Sequence, residues 1–342
     1  MKTKDDIKQS FQSLPLEEQE RLLEDLKSSL ELCNAPFSLA LGGLHAKGEK
    51  CPCPHCGSAE VIRSGKPRGI QYYRCRLCSK TYTELYGTPL WDIKKKHKWA
   101  AYIRCMQEGL SLRKIAKELS ISERTAFDWR HKIFACLSPL KPQGLSGILE
   151  FDEKELPINE KGRIDLRRVP RRRSSDFSRN AESESPTVVQ VASIAQRSGG
   201  CYLEAVPCQR LSAGQIEEVA ADVIAPGATV ITDKHPSYKA YAKTHPEINH
   251  RTVLASDKVD KKDRAIHLQN VNSLHSRLGD FLHKYHGVAT KYLQGYLNFF
   301  AFASEINNTN KPIQNWFDII ISSRSAYASF WETRNKDSII AA

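Results

Sequence analysis

The chain has no run of about eighteen apolar residues, the length a membrane-spanning helix needs, so no such span is expected. Its opening, Met1-Lys-Thr-Lys-Asp-Asp6, lacks the apolar stretch of a secretion signal, and a cytoplasmic location is expected. Without a secretory route, its 10 cysteines do not read as a disulfide framework. Acidic residues are the minority charge, 39 against 51 Lys and Arg, which leaves a net charge of +12. That excess points to a polyanion, nucleic acid first. At 342 residues, with ordinary apolar content, the chain can fill about two or three packed domains.

What is present begins with cysteine pairs. Cys53-x-x-Cys56 and Cys75-x-x-Cys78 have the knuckle spacing that turns two sulfurs toward one ion, and about eighteen residues separate the pairs. The expectation is a four-thiolate structural zinc site, closed to chemistry because no coordination position stays open. Cys51 and His55 lie close enough to compete but lack the knuckle spacing. Cys33, Cys105, Cys136, Cys201 and Cys208 sit among apolar residues and read as small core side chains. Arg63, Lys66, Arg68, Arg74 and Arg76 decorate the ribbon with positive charge.

Residues from about 10 to 33 carry Leu22, Leu23, Leu26 and Leu30 at helical spacing, with Pro15 suited to a helix start. A Gly- and Ala-containing linker follows over 34–50. Beyond the cysteines, a basic run from Lys94, Lys95 and Lys96 to Lys98 precedes residues 110–130, which have helix-turn-helix form. Ser111 is expected to cap the first helix and Ser122 the second, with Ser120-Ile121 as the turn. In such motifs the start of the second helix enters the major groove, which makes Arg124 and Thr125 candidate base-reading residues and the lysines candidate phosphate contacts. Phe127 and Trp129 are expected to pack.

Lys141-Pro-Gln-Gly marks the entry to the last large domain. Ile148–Pro157 alternates like a strand and carries three acids, Glu150, Asp152 and Glu153, among which periodicity does not choose. A basic stretch over 161–179 includes Arg171, Arg172 and Arg173, read as a DNA-contacting loop. Strands are expected at 187–194 and 201–206 around Gly199-Gly200, a helix at 212–223, and a buried strand at 228–233 ending in Asp233. The result is an α/β core. An acid at the carboxyl end of a buried strand is a frequent active-site position, although it can equally cap the next turn. Last comes a helix carrying Asn272, His275 and Arg277, with Leu274, Leu278, Phe281 and Leu282 as its core face, a turn at Gly287 and a second helix.

Taken in order, the ribbon, the helix-turn-helix, Asp152, Ile231-Thr-Asp-Lys-His-Pro-Ser-Tyr238 and Asn272-x-x-His-Ser-Arg-Leu278 resemble the zinc-ribbon transposases of bacterial insertion sequences, the ISXO-type group. The resemblance implies a ribonuclease H-like catalytic domain with an Asp, Asp, Asn set at Asp152, Asp233 and Asn272. It also implies magnesium at those residues, replaceable by manganese, and double-stranded DNA as partner, contacted also by His275 and Arg277. Two-ended synapsis implies a homodimer or larger assembly in action. The implied organisation is an N-terminal helical segment (1–45), zinc ribbon (46–90), helix-turn-helix (91–140), catalytic domain (146–310) and C-terminal tail (311–342). The sequence departs from the group at Gly279, where relatives commonly carry Lys, and Lys284 is the candidate replacement. The rival to an active transposase is a decayed copy that binds DNA as a regulator.

Overall fold

The computed structural model describes residues 4–23, 52–67, 70–138, 140–162, 188–254, 263–306 and 312–335. The linker expectation, Leu26, Leu30, Cys33, Cys51 and Arg68, together with Arg171, Arg172 and Arg173 of the basic loop, lies outside the described residues.

At the N-terminus, α1 (Lys4–Gln12) is followed by a second helical stretch over 16–23. The expected single helix is therefore broken at 13–15. Pro15 has no N–H to extend a preceding helix but suits the start of a new one. Leu22 and Leu23 of the expected apolar stripe are exposed.

A small antiparallel sheet follows: β1 (Val61–Arg63), β2 (Tyr72–Cys75) and β3 (Thr81–Thr83), in that order. Tyr73 and Tyr82 stack across it at 5.6 Å and close its core with Val61 and two cysteines.

Next come α2 (Trp99–Gln107), α3 (Leu112–Glu118) and α4 (Glu123–Leu137). Ser111 Oγ accepts from the Lys114 N–H and Ser122 Oγ from the Thr125 N–H, so both caps sit where the sequence marks them. Ser120, with φ +49°, makes the sharp turn between α3 and α4. Trp99, Tyr102, Ile115, Ala126, Trp129 and Ile133 are buried together.

The larger sheet has five strands in the order β6-β5-β4-β7-β8. These are β4 (Ile148–Pro157), β5 (Val188–Gln196), β6 (Cys201–Val206), β7 (Thr229–Asp233) and β8 (Asn249–Val253). The β4–β5 and β5–β6 pairs are antiparallel, as expected for hairpins, whereas β4–β7 and β7–β8 are parallel. The parallel strands are reached through α5 (Ala213–Ala220) and α6 (Pro236–Thr244), which pack on one face. The other face is covered by α7 (Gln269–His283) and α8 (Thr290–Ile306). Helices on both faces give three layers around the central strand β4.

The segment read as a tail carries α9 (Pro312–Ser322) and α10 (Ala326–Asn335). Trp316, Phe317, Ile320 and Ile321 of α9 are buried against the α2–α4 core, so a tail is the wrong description. Helical spacing of those four residues is the physical reason. Between the two cores stands α8: Leu293, Leu297 and Phe300 face the sheet, while Tyr296 and Phe299 face α4. Gly295 lets α4 come close, since a Cβ there would lie 2.8 Å from Phe134.

Candidate active site

Strand parity decides which β4 side chains share a face. Leu149 and Phe151 enter the core under α5 and α6; Leu156 and Ile158 join the core under α7 and α8. Glu150, Asp152 and Lys154 therefore look toward α7, and Glu153 looks the other way. On β7, Val230 faces α5 and α6 and Ile231 faces α7, which puts Asp233 on the α7 side as well. The parallel register pairs Ile148 with Thr229 and Glu150 with Ile231. Continued two residues, it sets Asp152 beside Asp233 on the same face.

The three acids left open by the sequence separate by environment. Glu150 is fully buried and committed. Its Oε1 accepts from Arg197 Nε at 2.9 Å and from Asn270 Nδ2 at 2.8 Å. Its Oε2 accepts the Asn270 N–H at 2.7 Å and the Val271 N–H at 3.0 Å. His267 Nδ1 lies 3.2 Å from Oε1. Glu150 thus satisfies open N–H groups in the first turn of α7 and favours the positive end of its dipole. Glu153 lies near Tyr238, a buried α6 residue whose ring meets Phe151 edge-on at 5.1 Å. Burial, with Asp152 next door, pushes its carboxyl up to about 7. Asp152 remains: burial and the neighbouring Asp233 push it up to about 6 against an N–H contact that lowers it. Asp233 also accepts the His235 N–H at 2.9 Å, so it caps the turn into α6 while standing beside Asp152.

Over these carboxylates lies α7. Of the expected core face, Leu274 and Leu278 are buried against the sheet with Val271, and Phe281 and Leu282 are partly buried. His275 is buried too rather than outward-facing, with Nδ1 3.9 Å from Asp152 Oδ2. Burial, helped by Lys154, holds it down to about 4, so it is a neutral ring. Asn272 is exposed one turn before His275, and Arg277 is exposed on the helix's outer side. Asp152, Asp233 and His275 are brought together, with Asn272 on the adjoining turn. Two neighbouring carboxylates, with a neutral amide nearby, form a hard oxygen donor set suited to divalent cations such as magnesium.

The sequence reading missed Arg197 and His267 as anchors of Glu150; both lie far from it along the chain. Lys284 turns toward the α2–α3 connection, where its Cδ lies 2.8 Å from a Cβ built at Gly109. The side chain above Gly279 is Lys154, whose Nζ lies 3.9 Å from a Cβ built there.

Cys53, Cys56, Cys75 and Cys78 bring their sulfurs within 4.8 Å of one another. Cys53 and Cys78 are 3.6 Å apart, as are Cys56 and Cys75. Four sulfurs about 2.3 Å from one ion at tetrahedral corners would be about 3.8 Å apart, so the cluster has the size of a zinc site. His55 packs instead on Tyr86, at 5.2 Å.

On the basic side, Arg124 is exposed and pairs with Asp128 at 3.4 Å. Thr125 Oγ1 lies 2.8 Å from Ser122 Oγ. The lysine run is only partly available. Lys95 donates to the Ser120 carbonyl at 3.4 Å and Lys98 to that of Leu119, so both brace the turn between α3 and α4. Lys96 donates to the Ile93 carbonyl, and burial lowers its pKa. Lys94 is exposed.

The mixed sheet thus carries Asp152 and Asp233 on adjacent parallel strands under α7. Residues 144–305 match the family model of the ISXO2-like transposase domain. A protein of the transposable element ISH50 from Halobacterium salinarum is 25% identical over 256 residues, covering 74% of this chain and 85% of the relative. Among solved structures, the Mos1 strand transfer complex matches over 70% of this chain and 79% of its own, at 12% identity and a TM-score of 0.31. A pre-cleavage Mos1 transpososome matches over 68% and 77%, at 10% identity and a TM-score of 0.29.

Proposed function

We propose that the protein is a transposase that binds the terminal inverted repeats of an insertion sequence and carries out metal-dependent strand cleavage and strand transfer. The observation that carries this reading is the pairing of Asp152 with Asp233 beneath α7, within a transposase-family domain. Asp152, Asp233 and Asn272 would hold two magnesium ions, which when bound activate the attacking oxygen and stabilise the leaving one. The residues' own work is placement. Glu150 fixes the start of α7, and so the turn bearing Asn272 and His275, over the carboxylates. His275, held neutral, sits against Asp152 without taking its proton.

Water first cuts at the element end, and the freed 3′-hydroxyl then attacks target DNA, so no covalent protein–DNA bond is needed. The amide of Asn272 brings less charge than a carboxylate would, so DNA phosphates are needed to complete the donor set around one ion. The four cysteines would form a zinc ribbon, and α3 with α4 a helix-turn-helix presenting Arg124 and Thr125 to the major groove. Two ends require at least a homodimer in action. The test is an assay with labelled repeat duplexes from the DNA flanking the gene and a supercoiled target. Joined donor–target products support a transposase. Nicks without joining indicate a nuclease, and binding without nicks a regulator.

A further inference from the structure

We infer that Lys154 holds a backbone phosphate of the strand being cut, from its place against Gly279 and on the same face as the carboxylates; this rests on the strand-cleaving reading above. Lys154 lies two residues beyond Asp152 on β4 and on the same face, one pleat repeat away. Its Nζ stands 3.9 Å from where a Cβ at Gly279 would be. Gly279 is an interior residue of α7 with an ordinary helical backbone, where glycine is a poorer helix former than alanine. The ammonium stands at ordinary contact distance from that position, within reach of a longer side chain placed there. Lys154 is half-buried, and among the described residues no carboxylate lies within ion-pair distance of it. Among the described residues this half-buried cation has no ion-paired carboxylate, and beside the carboxylate pair it offers a place for an anion. In a strand-cutting site that anion is a phosphate, which an ammonium binds as a point charge. Lys284 is not available for this task, since it packs by Gly109.

The experiment uses the full chain, zinc-loaded, with the repeat duplex from the flanking DNA. Lys154→Ala, Lys154→Gln, Lys284→Ala and the double variant Lys154→Ala/Gly279→Lys are compared. Two readouts are taken: nicking in magnesium, and the salt dependence of binding to a duplex already nicked at the cut site, measured in calcium. Removing one phosphate contact should flatten the log–log salt slope by about 0.9. Both Lys154 variants should show that change and nick about tenfold to a hundredfold more slowly. Lys284→Ala should change neither. Gly279→Lys in the Lys154→Ala background should restore the slope and most of the nicking, because the new side chain starts beside the position the Lys154 ammonium held. Unchanged slopes in both Lys154 variants, with parental thermal midpoints, would overturn the inference. A parent that nicks with neither magnesium nor manganese would sink the cleavage reading instead, and the slope would still decide the phosphate contact.

Discussion

Asn270 grips Glu150 from two sides, its backbone N–H on Oε2 at 2.7 Å and its side-chain amide on Oε1 at 2.8 Å. This contact ties the central strand to the first turn of α7, and Asn272 lies two residues further on. A helix start held this way has little freedom to slide over the sheet. Glu150→Gln should therefore disturb both folding and cleavage. The replacement turns an NH₂ toward donors that need an acceptor and leaves Arg197 without its charge partner. Breaking such a buried pair should cost about 3–5 kcal/mol. Denaturant unfolding measures the loss, and a variant as stable as the parent would contradict the anchor role.

The contact between Phe134 and Gly295 predicts a second sensitive point. A methyl group at 295 would press into a buried ring, so Gly295→Ala should destabilise by about 1–3 kcal/mol despite alanine's better helix propensity. A stability gain on thermal melting would show that α4 and α8 are less closely packed than described.

For the ribbon, Cys75→Ser should remove zinc from the purified protein, which should otherwise hold about one ion per chain. Zinc retained after that change would exclude Cys75 as a ligand.

The pH dependence has a definite sign. The carboxyl of Asp152 is raised to about 6 in the fold, above its ordinary value of 3.8. Its ionised form is therefore disfavoured in the folded protein at pH above 6, and that penalty lifts as pH falls through 6. A divalent cation relieves the same penalty but must displace a proton below pH 6. Magnesium should thus raise the thermal midpoint more at pH ~7.5 than at ~5.5. His275, lowered to about 4, works in the other direction, because only the unfolded chain takes up its proton between its ordinary 6.5 and 4. Asp152→Asn separates the two: it should abolish the magnesium effect and keep the His275 contribution. Equal magnesium shifts at both pH values would contradict the assigned donor.

Much of this architecture was legible because its signals are local. Knuckle spacing marked the four cysteines, and the capping serines at 111 and 122 marked two helix starts. Alternation marked β4, and the spacing of Leu274 and Leu278 marked the buried face of α7. The choice among Glu150, Asp152 and Glu153 was not local. It depends on which helix covers which face, and on Arg197, His267 and Asn270 arriving from elsewhere in the chain. The bracing by Lys95 and Lys98 was hidden likewise, since a lysine run looks the same whether it meets carbonyls or phosphates. In α9, by contrast, the pattern of Trp316, Phe317, Ile320 and Ile321 was readable as an apolar helix face, and reading it as a tail overlooked that pattern.

The most direct test of the central claim is nicking of a labelled element end in magnesium by Asp152→Ala and Asp233→Ala, with end binding measured in parallel. Both variants should bind the end nearly as the parent does, because Arg124 and Thr125 sit on α4, away from the carboxylates. Neither should cut. Asn272→Ala should cut weakly and be rescued by manganese more than the two Asp variants. Cleavage by Asp152→Ala at the parental rate would contradict the account, since neither the committed Glu150 nor the opposite-facing Glu153 could take its place.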